Sequence, residues 1–85
     1  MEVTFTEKAI ADLNFFKKSG NKQIQNKITE LIKDTLLHPT TGLGKPEQLK
    51  YKHSGLWSRR INSEHRMLYR IENEEIIIGS LRGHY

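Results

Sequence analysis

Apolar residues recur along this chain at two spacings, and each spacing predicts a different kind of element. Val3-Thr4-Phe5 alternates at period two, as a short strand does. The period then lengthens. Ala9, Ile10, Leu13 and Phe16, with Phe15 beside them, form a helical stripe. Thr6 offers a hydroxyl at the N-cap, and Glu7 places a negative charge in the first turn, where it suits the helix dipole. Gly20, after Lys17-Lys18-Ser19, is a C-terminal stop. Asn21 can cap a second helix, in which Ile24, Ile28, Leu31, Ile32, Thr35 and Leu36 keep one face apolar for about three turns. His38-Pro39 ends that helix, because the residue before a proline avoids helical dihedrals. Gly20 leaves room only for a tight corner, so the two helices are expected to form an αα-hairpin.

After a loop over 39–46, the pattern returns to period two. Glu47 to Tyr51 reads as a short extended piece, and His53-Ser54-Gly55 as a turn. Leu56 to Ile61, His65 to Ile71 and Glu75 to Arg82 read as strands, joined at Asn62-Ser63-Glu64 and Glu72-Asn73-Glu74. Short sequential connections imply an antiparallel meander. The expected fold is α+β: an N-terminal strand, then a two-helix hairpin packed on one face of a mostly antiparallel twisted sheet, as one domain over residues 1–85. Strand alternation then divides the sheet. Met67, Tyr69, Ile71, Ile77 and Leu81 are placed under the helices. Arg66, Arg70 and Arg82 fall on the open face, and the same parity carries His84 to their side. A single bulge would reverse that.

Composition narrows the function. There is no cysteine, hence no disulfide framework and no thiolate chemistry. No apolar run follows a basic N-terminal segment, so no signal peptide is expected. The longest apolar run, Ile76-Ile77-Ile78, is too short to span a bilayer. The net charge of +4 is uneven. Between Lys45 and Arg70, seven Lys and Arg residues oppose only Glu47 and Glu64. That segment is either a solvated strand surface or a patch for a polyanion. Its arginines, with forked donors, suit phosphate.

The candidate chemistry is sparse. His38, His53, His65 and His84 are scattered without metal-ligand spacing. Gly42-Leu43-Gly44-Lys45-Pro46 has the wrong spacing for a phosphate loop, and no nucleophile elbow is present. A carboxylate, a histidine and arginines remain, a set that suffices to cleave RNA. RNA carries its own nucleophile, the 2′-hydroxyl. A protein need add a base for that hydroxyl, an acid for the departing 5′-oxygen, and cations for the charged phosphorane. Neither metal nor cofactor is expected. Glu47, among lysines, should stay ionised as a base must, although an ordinary turn carboxylate is an equal reading. His84, beside the terminal carboxylate of Tyr85, is expected to hold a proton more tightly; a tail histidine without function is the alternative. Arg66 is a phosphate ligand or a solvated strand arginine. Trp57 reads as core rather than a base-stacking platform. His65 is expected to pack or cap locally, and Tyr85 can stack on a base.

Ile-Thr-Glu-Leu-Ile-Lys-Asp-Thr (28–35), Gly-Lys-Pro-Glu-Gln-Leu-Lys (44–50), Ser-Gly-Leu-Trp-Ser-Arg-Arg-Ile (54–61), Glu-His-Arg-Met-Leu-Tyr (64–69) and the ending Gly-His-Tyr (83–85) resemble the Txe/YoeB branch of the RelE-like toxins of bacterial toxin–antitoxin modules. The likeness runs in order from the second helix to the last residue. It implies a microbial RNase-like fold and a metal-free, ribosome-dependent endoribonuclease that cuts messenger RNA in the ribosomal A site. On that resemblance Glu47 is the general base, Arg66 the phosphate stabiliser, His84 the general acid, and Tyr85 a substrate-positioning residue. Lys45, Lys50, Arg59, Arg60 and Arg82 are expected at the RNA or ribosome surface. The expected partners are a YefM/Axe-like antitoxin that masks the site, a second toxin copy, the ribosome with mRNA, and operator DNA bound only by the toxin–antitoxin complex. The expected location is the bacterial cytoplasm, with no membrane contact. Gln48, Tyr51 and Met67 stand where relatives vary, and none removes a catalytic residue type. Two alternatives stay open: a non-catalytic binding toxin of the ParE-like type, and a basic nucleic-acid-binding domain.

Overall fold

Capping side chains decide where the helices begin in the computed structural model, which describes residues 1–83. Strand β1 (Glu2–Phe5) leads into helix α1 (Glu7–Ser19). The Thr6 hydroxyl accepts from the Ala9 N–H at 3.2 Å and donates to the Gly79 carbonyl at 3.0 Å. One residue thus starts the helix and ties it to the sheet. Gly20, at φ 71°, closes α1 in the left-handed region. Asn21 Oδ1 then accepts from the Ile24 N–H at 3.1 Å and opens α2 (Lys22–Leu37). The corner between the helices is as tight as the sequence predicts.

The meander follows as β2 (Glu47–Gln48), β3 (Trp57–Arg60), β4 (Arg66–Glu72) and β5 (Glu75–Ser80), with a 3₁₀ turn at Tyr51–His53. The sheet order is β1-β5-β4-β3-β2. Neighbours from β2 to β5 are antiparallel, while β1 lies parallel to β5 with Val3 opposite Ile76 and Phe5 opposite Ile78. The fold is α+β with a mixed five-stranded sheet.

Ala9, Phe16, Ile24, Ile28 and Leu31 from the helices pack on Ile61, Met67, Tyr69, Ile76, Ile78 and Leu81. Each large apolar side chain buried this way contributes about 1.5–3 kcal/mol. Three expectations change. Ile77 is not under the helices; Ile76 and Ile78 are. Leu68 pairs with Ser80 while Tyr69 pairs with Ile78, so Gly79 is an extra residue in β5. That bulge resets the parity and lets both Ile78 and Leu81 face the core. Ile71 sits at the hairpin end, exposed. On α1 the inward stripe is Ala9, Asp12 and Phe16, with Leu13 partly buried, and Ile10 and Phe15 lie outside it. No helix among the described residues is long and apolar enough to cross a membrane.

Candidate active site

Helices cover one face of the sheet, and the other face collects the charged side chains. Directly opposed residues of antiparallel strands point to the same side. Met67 and Tyr69 point to the core, so their partners Arg59 and Trp57 do as well. Ser58, Leu68, Arg60 and Arg66 therefore point the other way, with Ser58 opposite Leu68 and Arg60 opposite Arg66. Glu47 is opposite Ser58 and joins that face. Glu47 is thus two strands across and two residues along from Arg66. With strands about 4.8 Å apart and a rise of about 3.4 Å per residue, their backbones are roughly 12 Å apart. Two long side chains reaching inward leave room for one phosphate between them. Glu47 is exposed and has no ion-pair partner among the described residues. Lys45 and Lys50, also exposed, flank it in the chain.

The loop that delivers Glu47 is fastened from below by Arg59. This corrects the expectation that Arg59 meets RNA, because its side chain is fully buried. Nη1 donates to Asp34 Oδ2 at 2.7 Å and to the Leu43 carbonyl at 3.0 Å. Nη2 donates to the His38 and Thr41 carbonyls, and Nε to the Tyr69 hydroxyl at 3.1 Å. A guanidinium has five N–H donors and no acceptor, so it can serve a loop whose carbonyls turn inward. The Leu43 N–H and Arg59 together hold the Asp34 carboxyl below its ordinary value of 3.8. Burial pushes the Tyr69 phenol above 10.0, against the pull of Arg59, and the protonated hydroxyl donates to the Pro39 carbonyl at 2.8 Å. Two glycines make room for this packing. A Cβ on Gly42 would fall 2.2 Å from Asp34 Oδ2, and one on Gly44 2.8 Å from Leu31 Cδ2. The Arg60 N–H donates to the Gly44 carbonyl at 2.7 Å, two residues short of Pro46-Glu47.

At the other end of the face, Arg66 extends from the start of β4. Its Nη1 lies 3.2 Å from the Asn62 carbonyl, and it makes no ion pair among the described residues. Its backbone N–H donates to the Gly83 carbonyl at 2.9 Å. His65, buried as the sequence reading expects, accepts from the Gly83 N–H through Nδ1 at 2.8 Å. His84 and Tyr85, the expected acid and positioning residue, lie outside the described residues. Arg82 departs from expectation. The chain leaves the sheet after Ser80, and the Arg82 guanidinium lies 3.6 Å over the Phe15 ring of α1. A cation over an aromatic face is held there and drawn away from the open face.

Arg70 lies farther along the open face, 3.4 Å from Glu72, and lines a cleft of about 190 Å³ with Thr6, Leu56, Ile77 and Gly79. A crevice of about 530 Å³ lies between the start of α2 and the β3–β4 turn, and neither Glu47 nor Arg66 lines it. Among the described residues no three His, Cys, Asp or Glu side chains converge as metal ligands do. Trp57 packs against the core, as expected. The sequence reading missed Asp12, Asp34 and the positioning contacts of His65. Asp12 had one visible signal, an acid at i+3 inside an apolar helical stripe, and it is buried while accepting from the Leu81 and Arg82 N–H groups at 2.9 and 3.1 Å.

Residues 5–85 match the family described as "YoeB-like toxin of bacterial type II toxin-antitoxin system". Toxin YoeB of Escherichia coli (strain K12) is 42% identical over 85 residues, the full length of both chains. Among solved structures, a YoeB/ParE toxin from Agrobacterium tumefaciens superposes with a TM-score of 0.95 at 36% identity, covering 100% of each chain. The Staphylococcus aureus protein, solved both in a heterotetrameric YoeB–YefM toxin–antitoxin complex and as a YoeB dimer, gives a TM-score of 0.89 at 38% identity, covering 100% of this chain and 98% of that one.

Proposed function

This chain belongs to the YoeB-like toxin family of bacterial type II toxin–antitoxin systems, and from that premise we propose that it is a ribosome-dependent endoribonuclease that cuts messenger RNA in the ribosomal A site and stops translation. The observation that carries the reading is the shared open face: Glu47, Arg60 and Arg66 lie on it by register, and Gly83, the residue before His84, is bonded to the backbone of Arg66.

In this reading Glu47 takes the proton of the 2′-hydroxyl, and the freed oxygen attacks the adjacent phosphorus. Arg66, with Arg60 directly opposite it, stabilises the added negative charge of the phosphorane, and Lys50 adds positive charge at the phosphate. His84 gives its proton to the 5′-oxygen as the P–O bond breaks. The products are a 2′,3′-cyclic phosphate and a 5′-hydroxyl. Each proton transfer supplies on the order of 10²–10⁴-fold. Tyr85 positions the substrate, and Lys45 adds charge at the ribosome surface. No cofactor enters the scheme.

The partners follow from the same premise. A YefM-like antitoxin masks the open face, two toxin copies associate, and operator DNA is bound only by the toxin–antitoxin complex. The protein acts in the bacterial cytoplasm. The test is purified protein with ribosomes and a defined message. Cleavage should appear with wild type and fall to a small residual rate with Glu47→Ala or His84→Ala. Wild-type protein that binds ribosomes yet leaves the message intact would overturn the enzymatic reading and favour a ParE-like binding toxin.

A further inference from the structure

Residues 81–83 have left the sheet, yet their backbone is bonded at every step. The Leu81 and Arg82 N–H groups share the buried Asp12 carboxylate, which Lys8 Nζ also meets at 2.8 Å. Gly83 is held from both sides, its N–H by His65 Nδ1 at 2.8 Å and its carbonyl by the Arg66 N–H at 2.9 Å. Gly83 has φ +80°, a left-handed conformation that favours glycine.

His65 is suited to this grip. Only 8% of the residue is exposed, and its ring stands edge-on to Phe16 with centroids 5.1 Å apart. Its backbone carbonyl accepts from the Ile61 N–H at 3.0 Å, so the residue is tied to the chain just after β3 as well. An Nδ1 that accepts must carry its lone pair, which puts the neutral ring's proton on Nε2, 3.8 Å from Glu64 Oε2. The ring serves as a fixed acceptor next to the proposed phosphate ligand, one residue away in the chain.

We infer that His65 is a positioning residue for the reaction: by holding Gly83 against Arg66 it sets where His84 enters the site. The inference rests on the reading of His84 as the general acid. His84 follows Gly83 by a single peptide bond, so a held Gly83 fixes the point from which the acid must reach the substrate. Asp12 fixes the two residues before it.

Asn and Gln at position 65 separate this role from simple packing. Asn carries its acceptor as many bonds from Cβ as Nδ1 is, whereas Gln carries it one bond farther out. With ribosomes and a defined message, His65→Gln should lower kcat on the order of 10²-fold with KM unchanged, and His65→Asn should keep the wild-type kcat. In a His84→Ala background, His65→Gln should cause no further loss, because the two act as a unit. Hydrogen exchange at the Gly83 amide should quicken with Gln and not with Asn. Equal losses for Asn and Gln, or a further loss on the His84→Ala background, would reduce His65 to a structural residue. If His84→Ala is inactive but His65→Gln is fully active, only the inference falls. If His84→Ala cleaves like wild type, the general-acid reading falls and the inference falls with it, even where Gly83 exchange shows the hydrogen bond intact.

Discussion

Replacing Arg59 by methionine separates a surface arginine from a buried fastener. Methionine keeps much of the stem and removes the charged fork. Five hydrogen bonds disappear, to Asp34, Leu43, His38, Thr41 and Tyr69. Breaking a buried ion pair by removing one partner costs about 3–5 kcal/mol. The lower end applies here, because the side chain of Asp34 is 18% exposed and keeps the Leu43 N–H, and His38, Thr41 and Leu43 lie at the surface, where water can replace the lost donor. A loss of about 3 kcal/mol is a large share of the roughly 4–13 kcal/mol expected for a chain this size. It corresponds to a fall in Tm of roughly 12–24 °C. Thermal unfolding followed by circular dichroism reads this directly. The Arg60 amide, which donates to Gly44, should also exchange faster as the loop loosens. A solvated RNA-contacting arginine behaves differently: its loss changes stability by no more than about 0.5 kcal/mol and lowers the salt slope of ribosome binding by about one. An unchanged Tm together with a reduced salt slope would refute the buried role.

Asp34 adds a pH dependence. Its carboxyl is held below 3.8 in the folded chain, so the unfolded chain binds the proton more readily; the stabilisation is present above that pH and drains away as pH falls through the lower folded value. Asp34→Asn should therefore flatten the acid limb of the stability curve below about pH 4, and an acid limb as steep as wild type would exclude the mechanism. Lys50→Ala should lower the salt slope of ribosome association by about one, whereas Arg82→Ala, whose guanidinium sits on Phe15, should lower it less; equal slopes for the two variants would return Arg82 to the RNA-facing set.

Much of this molecule is legible in its local chemistry. Thr6, Gly20 and Asn21 mark helix ends because a cap needs only one side chain or one dihedral, acting within a few residues. The i, i+4, i+7 spacing of Ile24, Ile28 and Leu31 places α2 for the same reason: one helical period repeats without reference to the rest of the chain. The motifs around Glu47, Arg66 and His84 carry the family resemblance in the sequence itself. Failures came where a residue's role depends on partners distant in the chain. Strand alternation alone puts Ile77 on the wrong face, because the Gly79 bulge exists only in the pairing of β5 with β4. Alternation alone puts Arg82 on the open face, because its stacking partner, Phe15, lies on the first helix, far away in the chain. Arg59 and Arg60 are adjacent and chemically identical, and a sequence cannot rank them. The sheet does, because alternation turns Arg60 outward and Arg59 inward, where Asp34 and three loop carbonyls wait for its donors. Charge, capping and periodicity are properties of neighbours in the chain, and the sequence determined them by itself. Burial, register and the grip of His65 on Gly83 join residues that meet only after folding, so the tertiary structure alone decided which arginine faces solvent and how Gly83 is held.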